Sequence, residues 1–455
     1  MPNIAIFSHG HPELSQGGAE RASYALHCLI KDGGFPGWRS TYVSRAEHKH
    51  IGHDGDFGAF RGRTEEILVA LPPLDHFFQS SLNAQQLYQQ LDEIFENLKP
   101  DLVHIHHFVY WGLELIEYFH GRKVPIIFTF HEYLSICHRS GQMLKTNGRL
   151  CSAAFPSECG QCFPEISSGF FFLRHQRFLE ALRLADALIS PSEFLAERVR
   201  GWSKDLLRVE VVENPRRLAD YESSAPCYKP PMTRQLRIGY FGQINPFKGV
   251  DILLDAVQIA LARGLDIRLC LFGANLEIQD PIFREKIEKK ITALDDHVEF
   301  FGPYKNSSVI RLMQSCSAVV VPSIWWENSP VVIQEAVTAN VMIFGSRHGG
   351  MEEKLKSLPN SVLFEPGSSV DLADKLIDFY SRQAKLGEPA AQAMHATTSE
   401  YVEKDWLLLK NIYQRVYLTS KKENAYDLEL RAPADGGKSD SKRPSQRKRK
   451  NSTAS

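Results

Sequence analysis

A chain of 455 residues, 43% hydrophobic and 24% charged, is too long for one compact core and suits two soluble domains with extras. It holds no apolar run of about eighteen residues, so no membrane span is expected, and Met1 to Phe7 enter a strand pattern without the basic region or cleavage site of a signal peptide, which predicts a cytoplasmic protein. The net charge of −1 conceals a basic stretch, Lys438 to Lys450, that leaves the rest at about −7 and excludes a general nucleic-acid binder.

In chain order, residues 3–8 read as a strand. Ser8-His9-Gly10-His11-Pro12 then turns into Gly17-Gly18-Ala19-Glu20-Arg21, and Ala22, Ala25, Leu26, Leu29 and Ile30 mark the apolar side of a helix. Strand, glycine loop and helix form the first unit of a doubly wound domain. There is no G-x-G-x-x-G, which weighs against a dinucleotide redox enzyme. A helix over Asn83 to Leu98 precedes the strand Leu102 to His107, whose alternation puts His104 and His106 on one face, as a packed pair or as metal ligands. Val124 to Phe130 is a buried strand that delivers His131 at its carboxyl end.

Cys137, Cys151, Cys159 and Cys162 follow, spaced C-x13-C-x7-C-x2-C. Eight cysteines without a secretion signal argue for thiols or a metal site rather than a disulfide framework. These thiolates can hold a structural zinc, or they can be free thiols pinning an apolar loop. Ser167 to Leu184 reads as a helix, 187–190 as a strand ending in the helix-start signal Ser190-Pro191-Ser192-Glu193, and Val209 to Val212 as another strand.

After a pattern-free linker at 216–235, a second α/β domain begins with the strand Leu236 to Phe241 and the loop Gly242-Gln243-Ile244-Asn245-Pro246-Phe247-Lys248-Gly249. A glycine turn with a lysine at a helix entrance suits phosphate. Strands are expected at Ile267–Phe272, Val298–Phe301, Ala318–Val321, Val341–Phe344 and Val362–Phe364, with helices at Val250–Ala262, near 280–294 and at 306–314 between them. Trp325-Trp326-Glu327-Asn328-Ser329-Pro330-Val331 links the strand Ala318–Val321 to a helix carrying Glu335, with Ser329 as the cap and Pro330 in the first turn. Gly349-Gly350 and Glu353 open another helix, and helices near 369–383 and 391–417 close the fold. Two Rossmann-like, doubly wound parallel-sheet domains facing each other are expected. They cover residues 1–215, with the cysteine insertion at 137–162, and 236–385; a helix at 386–419 packs back across them, and a disordered basic tail starts at 420.

Taken together, Gly17-Gly18-Ala19-Glu20, His131, Phe241-Gly242 through Lys248-Gly249, the Glu327-x7-Glu335 pair, and Gly349-Gly350 with Glu353 resemble the motifs of the retaining nucleotide-sugar glycosyltransferases of the fourth sequence family, over roughly residues 3–417. That family has the two-domain GT-B fold. The resemblance implies that Glu335 holds the ribose hydroxyls, Glu327 orients the donor sugar, and Lys248 neutralises the diphosphate beside backbone N–H groups of Ser329 and Val331. It implies that Gly17 and Gly18 close over the phosphates and that His131 lies near the transferred sugar. The expected catalytic set is Glu327, His131 and Lys248. Gly17, Gly18, Gln243, Lys248, Asn328, Ser329, Val331 and Glu335 would bind the donor. Catalysis would need no cofactor. Gln243 stands where the family commonly has Arg, so another cation such as Arg347 would have to help, and Asn328 stands where it usually has Gly.

The implied activity is transfer of a sugar from a nucleoside diphosphate to a lipid-linked, polysaccharide or other glycan acceptor, with peripheral membrane contact and no nucleic-acid partner. A sugar-nucleotide epimerase or a phosphorylase on the same fold is the alternative, and a nucleic-acid-binding module built on the cysteines and basic tail is a third reading.

Overall fold

The computed structural model describes residues 1–15, 17–51, 56–217, 221, 235–386 and 395–431. Most of the expected linker, the start of the helix expected from 391, and the basic run Lys438 to Lys450 lie outside them. Within the first 217 residues the strands are β1 (Asn3–Ser8), β2 (Arg39–Arg45), β3 (Phe57–Phe60), β4 (Arg63–Val69), the two-residue pair β5 (Leu74–Asp75) and β6 (Ser80–Ser81), β7 (Leu102–Ile105), β8 (Ile126–Thr129), β9 (Ala187–Ser190) and β10 (Val209–Val211). Eight of them form one sheet, ordered β10-β9-β8-β7-β1-β2-β4-β3, parallel except for the edge strand β3.

The second sheet is wholly parallel: β11 (Leu236–Gln243), β12 (Ile267–Ala274), β13 (Val298–Gly302), β14 (Ala318–Val321), β15 (Met342–Ser346) and β16 (Ser361–Phe364), in the order β13-β12-β11-β14-β15-β16. Both sheets are covered on two faces, which is why their central strands read as unbroken apolar runs. In β14, Ala318 and Val320 enter one core while Val319 and Val321 enter the other. In β1, Ala5 and Phe7 face one core and Ile4 and Ile6 the second.

The strand orders locate the crevices. The first sheet reverses direction of growth at β1, between β2 and β7, and the second at β11, between β12 and β14. Ligands of open α/β sheets bind beyond the carboxyl ends of the strands at such switch points. The loops after β1, β11 and β14 carry Gly17, Lys248 and Glu327 respectively.

Several elements differ from the sequence reading. Strands β2 to β4 (Arg39 to Val69) were not expected. They lie toward the sheet edge, and segments such as Arg63-Thr64-Glu65-Glu66 lack the apolar run of a central strand. The helix expected at 306–314 splits into a 3-10 turn, Asn306–Ser308, and a helix, Val309–Gln314. The last helix runs over His395–Arg431, so the segment expected to be disordered from 420 is helical as far as Arg431. That helix returns to the first domain: Leu409, Ile412, Tyr413 and Val416 join Ile4, Ile6 and Leu26 in one core. A cavity of about 390 Å³ lies beside it, where Leu29, Ile333, Val337, Leu358, Trp406 and Leu409 meet.

Candidate functional site

Glu327 sits in the loop after β14 and is 5% exposed. Its Oε1 accepts from Lys248 Nζ at 2.6 Å, Ser323 Oγ at 2.7 Å and Trp325 Nε1 at 2.9 Å. Burial raises the carboxyl's pKa, but Lys248 and these hydrogen bonds hold it below the usual range, so it is ionised. The Lys248 loop reaches it by close backbone packing. Gly249 has φ +68°, and a β-carbon there would lie 1.9 Å from Pro322 O. The contact is fixed further by Ile324 N donating to Phe247 O at 2.9 Å.

Glu335 lies in the helix Val331–Ala339 and is 2% exposed. Burial pushes its pKa up to about 7, against the pull of Arg21 and Arg216. Ser329 does not cap this helix. Pro330 occupies the cap position with no side-chain bond, and Ser329 Oγ donates instead to Glu213 Oε1 at 2.6 Å. The helix entrance is therefore open, with its first N–H groups unpaired within the helix.

Opposite stands the helix Gly18–Leu29 of the first domain. A β-carbon at Gly18 would be 3.6 Å from Val331 Cγ2, and further along Arg21 Nη1 lies 3.4 Å from Glu335 Oε1. Two helix N-termini thus converge from opposite domains on one spot, a setting that favours an anion. A cavity of about 200 Å³ opens beside it, lined by Arg21, Tyr24, Arg216, Val331 and Gln334 among others. Gly17 has its own constraint, since a β-carbon there would meet Glu20 Oε2 at 2.2 Å. Burial works to raise the Glu20 pKa, but His9 and Ser15 bring it to about 2.

The first-domain wall of the cleft is built of histidines. His131 Nε2 meets His106 Nδ1 at 2.9 Å, His9 Nε2 meets Glu20 at 3.2 Å, and His107 Nε2 meets Glu132 at 3.2 Å. Burial and neighbouring imidazoles hold His106 and His131 well below the ordinary histidine pKa, so they are neutral. His9 Nδ1, His106 Nε2 and Glu132 Oε2 are buried with no hydrogen-bond partner among the described residues. His104 takes no part in a metal site, because its two ring nitrogens are used by Tyr413 and Thr129 at 2.6 and 2.7 Å.

Direct bonds tie the two walls together. Asn328 Nδ2 donates to His131 O at 3.2 Å, and its Oδ1 accepts from Ser192 Oγ. Trp326 Nε1 donates to Cys151 O at 2.9 Å. Glu353 accepts from Glu193 N at 3.0 Å and Phe194 N at 2.8 Å, so a carboxylate of one domain sits on the helix N-terminus of the other.

The structure brings Gly17, Gly18, His131, Lys248, Glu327, Asn328, Ser329, Val331 and Glu335 to this one cleft, with Gln243 at the exposed end of β11. Arg347 is elsewhere: half-exposed, with its guanidinium 3.7 Å from Glu365. Sequence reasoning did not single out Arg21, Arg216, Ser323, His9 or the bridging role of Asn328. Arg21 alone carried a signal, being one helical turn after Gly17-Gly18 on the same helix.

Cys137, Cys151, Cys159 and Cys162 are free thiols, and among the described residues no three His, Cys, Asp or Glu side chains are placed to hold a metal ion. The thiols do crowd one another: burial and the nearby Cys137, Cys151 and Cys162 push Cys159 up to about 12. Cys151 is turned instead toward Ala153 O at 3.2 Å.

Residues 45–219 match the model of "Glycosyltransferase Family 4" and residues 230–396 that of "Glycosyl transferases group 1". A phosphatidyl-myo-inositol mannosyltransferase of Mycobacterium leprae is 25% identical over 227 residues, 50% of this chain and 58% of the relative, so the chain spans little more than half that relative's length. A D-inositol 3-phosphate glycosyltransferase of Corynebacterium aurimucosum is 24% identical over 34% of this chain and 37% of its own. The same fold occurs in a sucrose-phosphate synthase from Thermosynechococcus elongatus (TM-score 0.63, 17% identity, 92% and 100% of the two chains). It also occurs in Anabaena Alr3699/HepE, solved with UDP and glucose (TM-score 0.61, 18% identity, 90% and 99%).

Proposed function

Because the chain belongs to these two-domain glycosyltransferases, of the fourth-family type with the GT-B fold, we propose that it moves a sugar from a nucleoside diphosphate to a hydroxyl of a glycan or lipid-linked acceptor, with retention of configuration. One observation carries the reading: Lys248 with Glu327, and Glu335 on its open helix, surround the point where two helix N-termini converge. Glu335 accepts hydrogen bonds from the ribose. Glu327, fixed by Ser323 and Trp325, accepts from sugar hydroxyls and sets the anomeric carbon toward the first-domain wall. Lys248 and the helix N-termini face the diphosphate.

Chemically this is leaving-group stabilisation. As the glycosidic C–O bond breaks, negative charge grows on the departing phosphate, and donors already aimed there favour that state over the bound substrate. The departing phosphate takes the acceptor's proton on the same face of the sugar, so no protein nucleophile is needed. Histidines of the first-domain wall, His131 and His9, contact the incoming hydroxyls.

A lipid-linked acceptor is supported by the name of the Mycobacterium leprae relative, and it would be met at a membrane surface. Among the described residues no helix is long and apolar enough to cross a membrane. We further propose that Cys137, Cys151, Cys159 and Cys162 hold a structural zinc, which metal analysis of the purified protein tests.

The decisive experiment is a thermal-shift screen of UDP, GDP and ADP and their sugars, since a ligand that binds the folded state raises its melting point. A nucleotide that stabilises the wild type should lose its effect on Glu335→Ala. Unchanged affinity and transfer in that variant would remove the assignment.

A further inference from the structure

The diphosphate site contains less free positive charge than it first suggests. Lys248 is already matched by Glu327 at 2.6 Å, and a diphosphate carries more than one negative charge. The other cations near the cleft are committed. Arg216 Nη1 donates to Gln334 O at 2.9 Å and Thr338 Oγ1 at 3.2 Å. Arg139 donates to Leu144 O and Lys145 O at 3.0 and 2.8 Å.

Arg21 differs from these. It is 23% exposed at its side chain, it lines the cavity, and its contact with Glu335 is one long approach of 3.4 Å rather than a paired fork. It leaves the helix Gly18–Leu29 within a turn of the N-terminus that faces Val331. Its partner has another task in the bound state, since Glu335 is given to the ribose.

We infer that Arg21 is a donor-binding residue that exchanges Glu335 for the diphosphate, so that the first domain contributes a phosphate-directed cation to a donor held mainly by the second. Donor binding then joins the domains: Lys248 and Arg21 approach one anion from opposite walls, as an Arg fork and an ammonium suit phosphate oxygens from different directions. This rests on the nucleotide-sugar reading above. It differs from a purely structural role, in which Arg21 would only hold Glu335 in place.

The two roles are separated by comparing a nucleoside diphosphate with its nucleoside. UDP, GDP and ADP are titrated by calorimetry beside uridine, guanosine and adenosine, on the wild type, Arg21→Gln, Arg21→Lys and Glu335→Ala. Arg21→Gln should weaken the preferred diphosphate by roughly ten- to hundredfold while leaving its nucleoside within about twofold, as for loss of a charge-assisted hydrogen bond. Arg21→Lys should recover part of the loss, and raised salt should shrink the difference. Glu335→Ala should weaken diphosphate and nucleoside alike. If Arg21→Gln weakens both ligands equally, or neither while Glu335→Ala weakens both, the inference is overturned and the nucleotide-sugar reading stands. If Glu335→Ala is also without effect, that reading falls with it.

Discussion

At the scale of single residues, the two glutamates of the loop and helix are separated by environment rather than by chemistry. Glu327 is surrounded by donors and stays ionised, whereas burial pushes the pKa of Glu335 up to about 7 despite its long arginine contact. A carboxylate can accept from both ribose hydroxyls and a carboxylic acid cannot, so binding below pH 7 must release a proton. Nucleotide affinity should therefore be flat above about pH 7 and fall toward tenfold for each pH unit below it, by linkage. Calorimetry from pH 5.5 to 8.5 tests this. A level profile, or a slope that persists in Glu335→Gln, would assign the titration elsewhere. Asn328 shows how a residue's role can escape local reasoning. Expected to shape the donor pocket, it has both polar ends committed to the other domain, through His131 O and Ser192 Oγ.

Among elements, the long last helix does more than close the chain. Tyr413 is fully buried, packs near Phe35 and Trp38, and hydrogen-bonds His104 in the middle of the first sheet. Removing the ring leaves a cavity and an unpaired imidazole nitrogen. Tyr413→Ala should destabilise the first domain by about 3–5 kcal/mol, and Tyr413→Phe by about 1–2 kcal/mol, as for loss of an aromatic core residue and of a buried hydrogen bond respectively. Urea melts followed by fluorescence would measure both. Equal, small effects would mean the helix is only loosely docked. The cysteine loop is likewise less independent than its spacing suggests, because Trp326 of the second domain donates to Cys151 O and Arg198 lies over the same indole at 5.2 Å.

For the whole molecule, the buried histidines set the direction of its response to acid. His104 and His106 have pKa values held down by burial, so the unfolded chain binds protons that the folded one refuses below its ordinary value of about 6.5. Their contribution to stability is complete above that pH and is lost as pH falls below it, at up to about 1.4 kcal/mol per histidine per pH unit. Glu335 acts oppositely, gaining a proton on folding between pH 7 and its unfolded pKa, and so offsets part of the loss. The melting temperature should drop between pH 7.5 and 5.5, and His106→Gln should lessen the drop. An unchanged pH dependence in that variant would exclude His106 as a source. Crossing bonds at Asn328, Trp326 and Glu353 make the two domains respond together, since each ties a loop of one to the other.

The architecture was legible in the sequence wherever one residue's neighbours in the chain decide its state. Buried parallel strands require continuous apolar runs, so β1, β8, β11 and β14 could be read directly, and glycine was recognisable at the Lys248 loop because its backbone conformation excludes other residues. Strands β2 to β4, toward one edge of the first sheet, were not readable, because their pairing partners, rather than their own composition, make them strands. The carboxylates, the lysine and the glycine pair of the site were also visible as a pattern of types. What only the tertiary structure decided was which charges meet. Arg21 was brought to Glu335 and Arg347 taken away from the cleft, and Ser329 was drawn to Glu213. Electrostatic and hydrogen-bond partners are set by how the two sheets pack together, over distances in sequence that no local periodicity records.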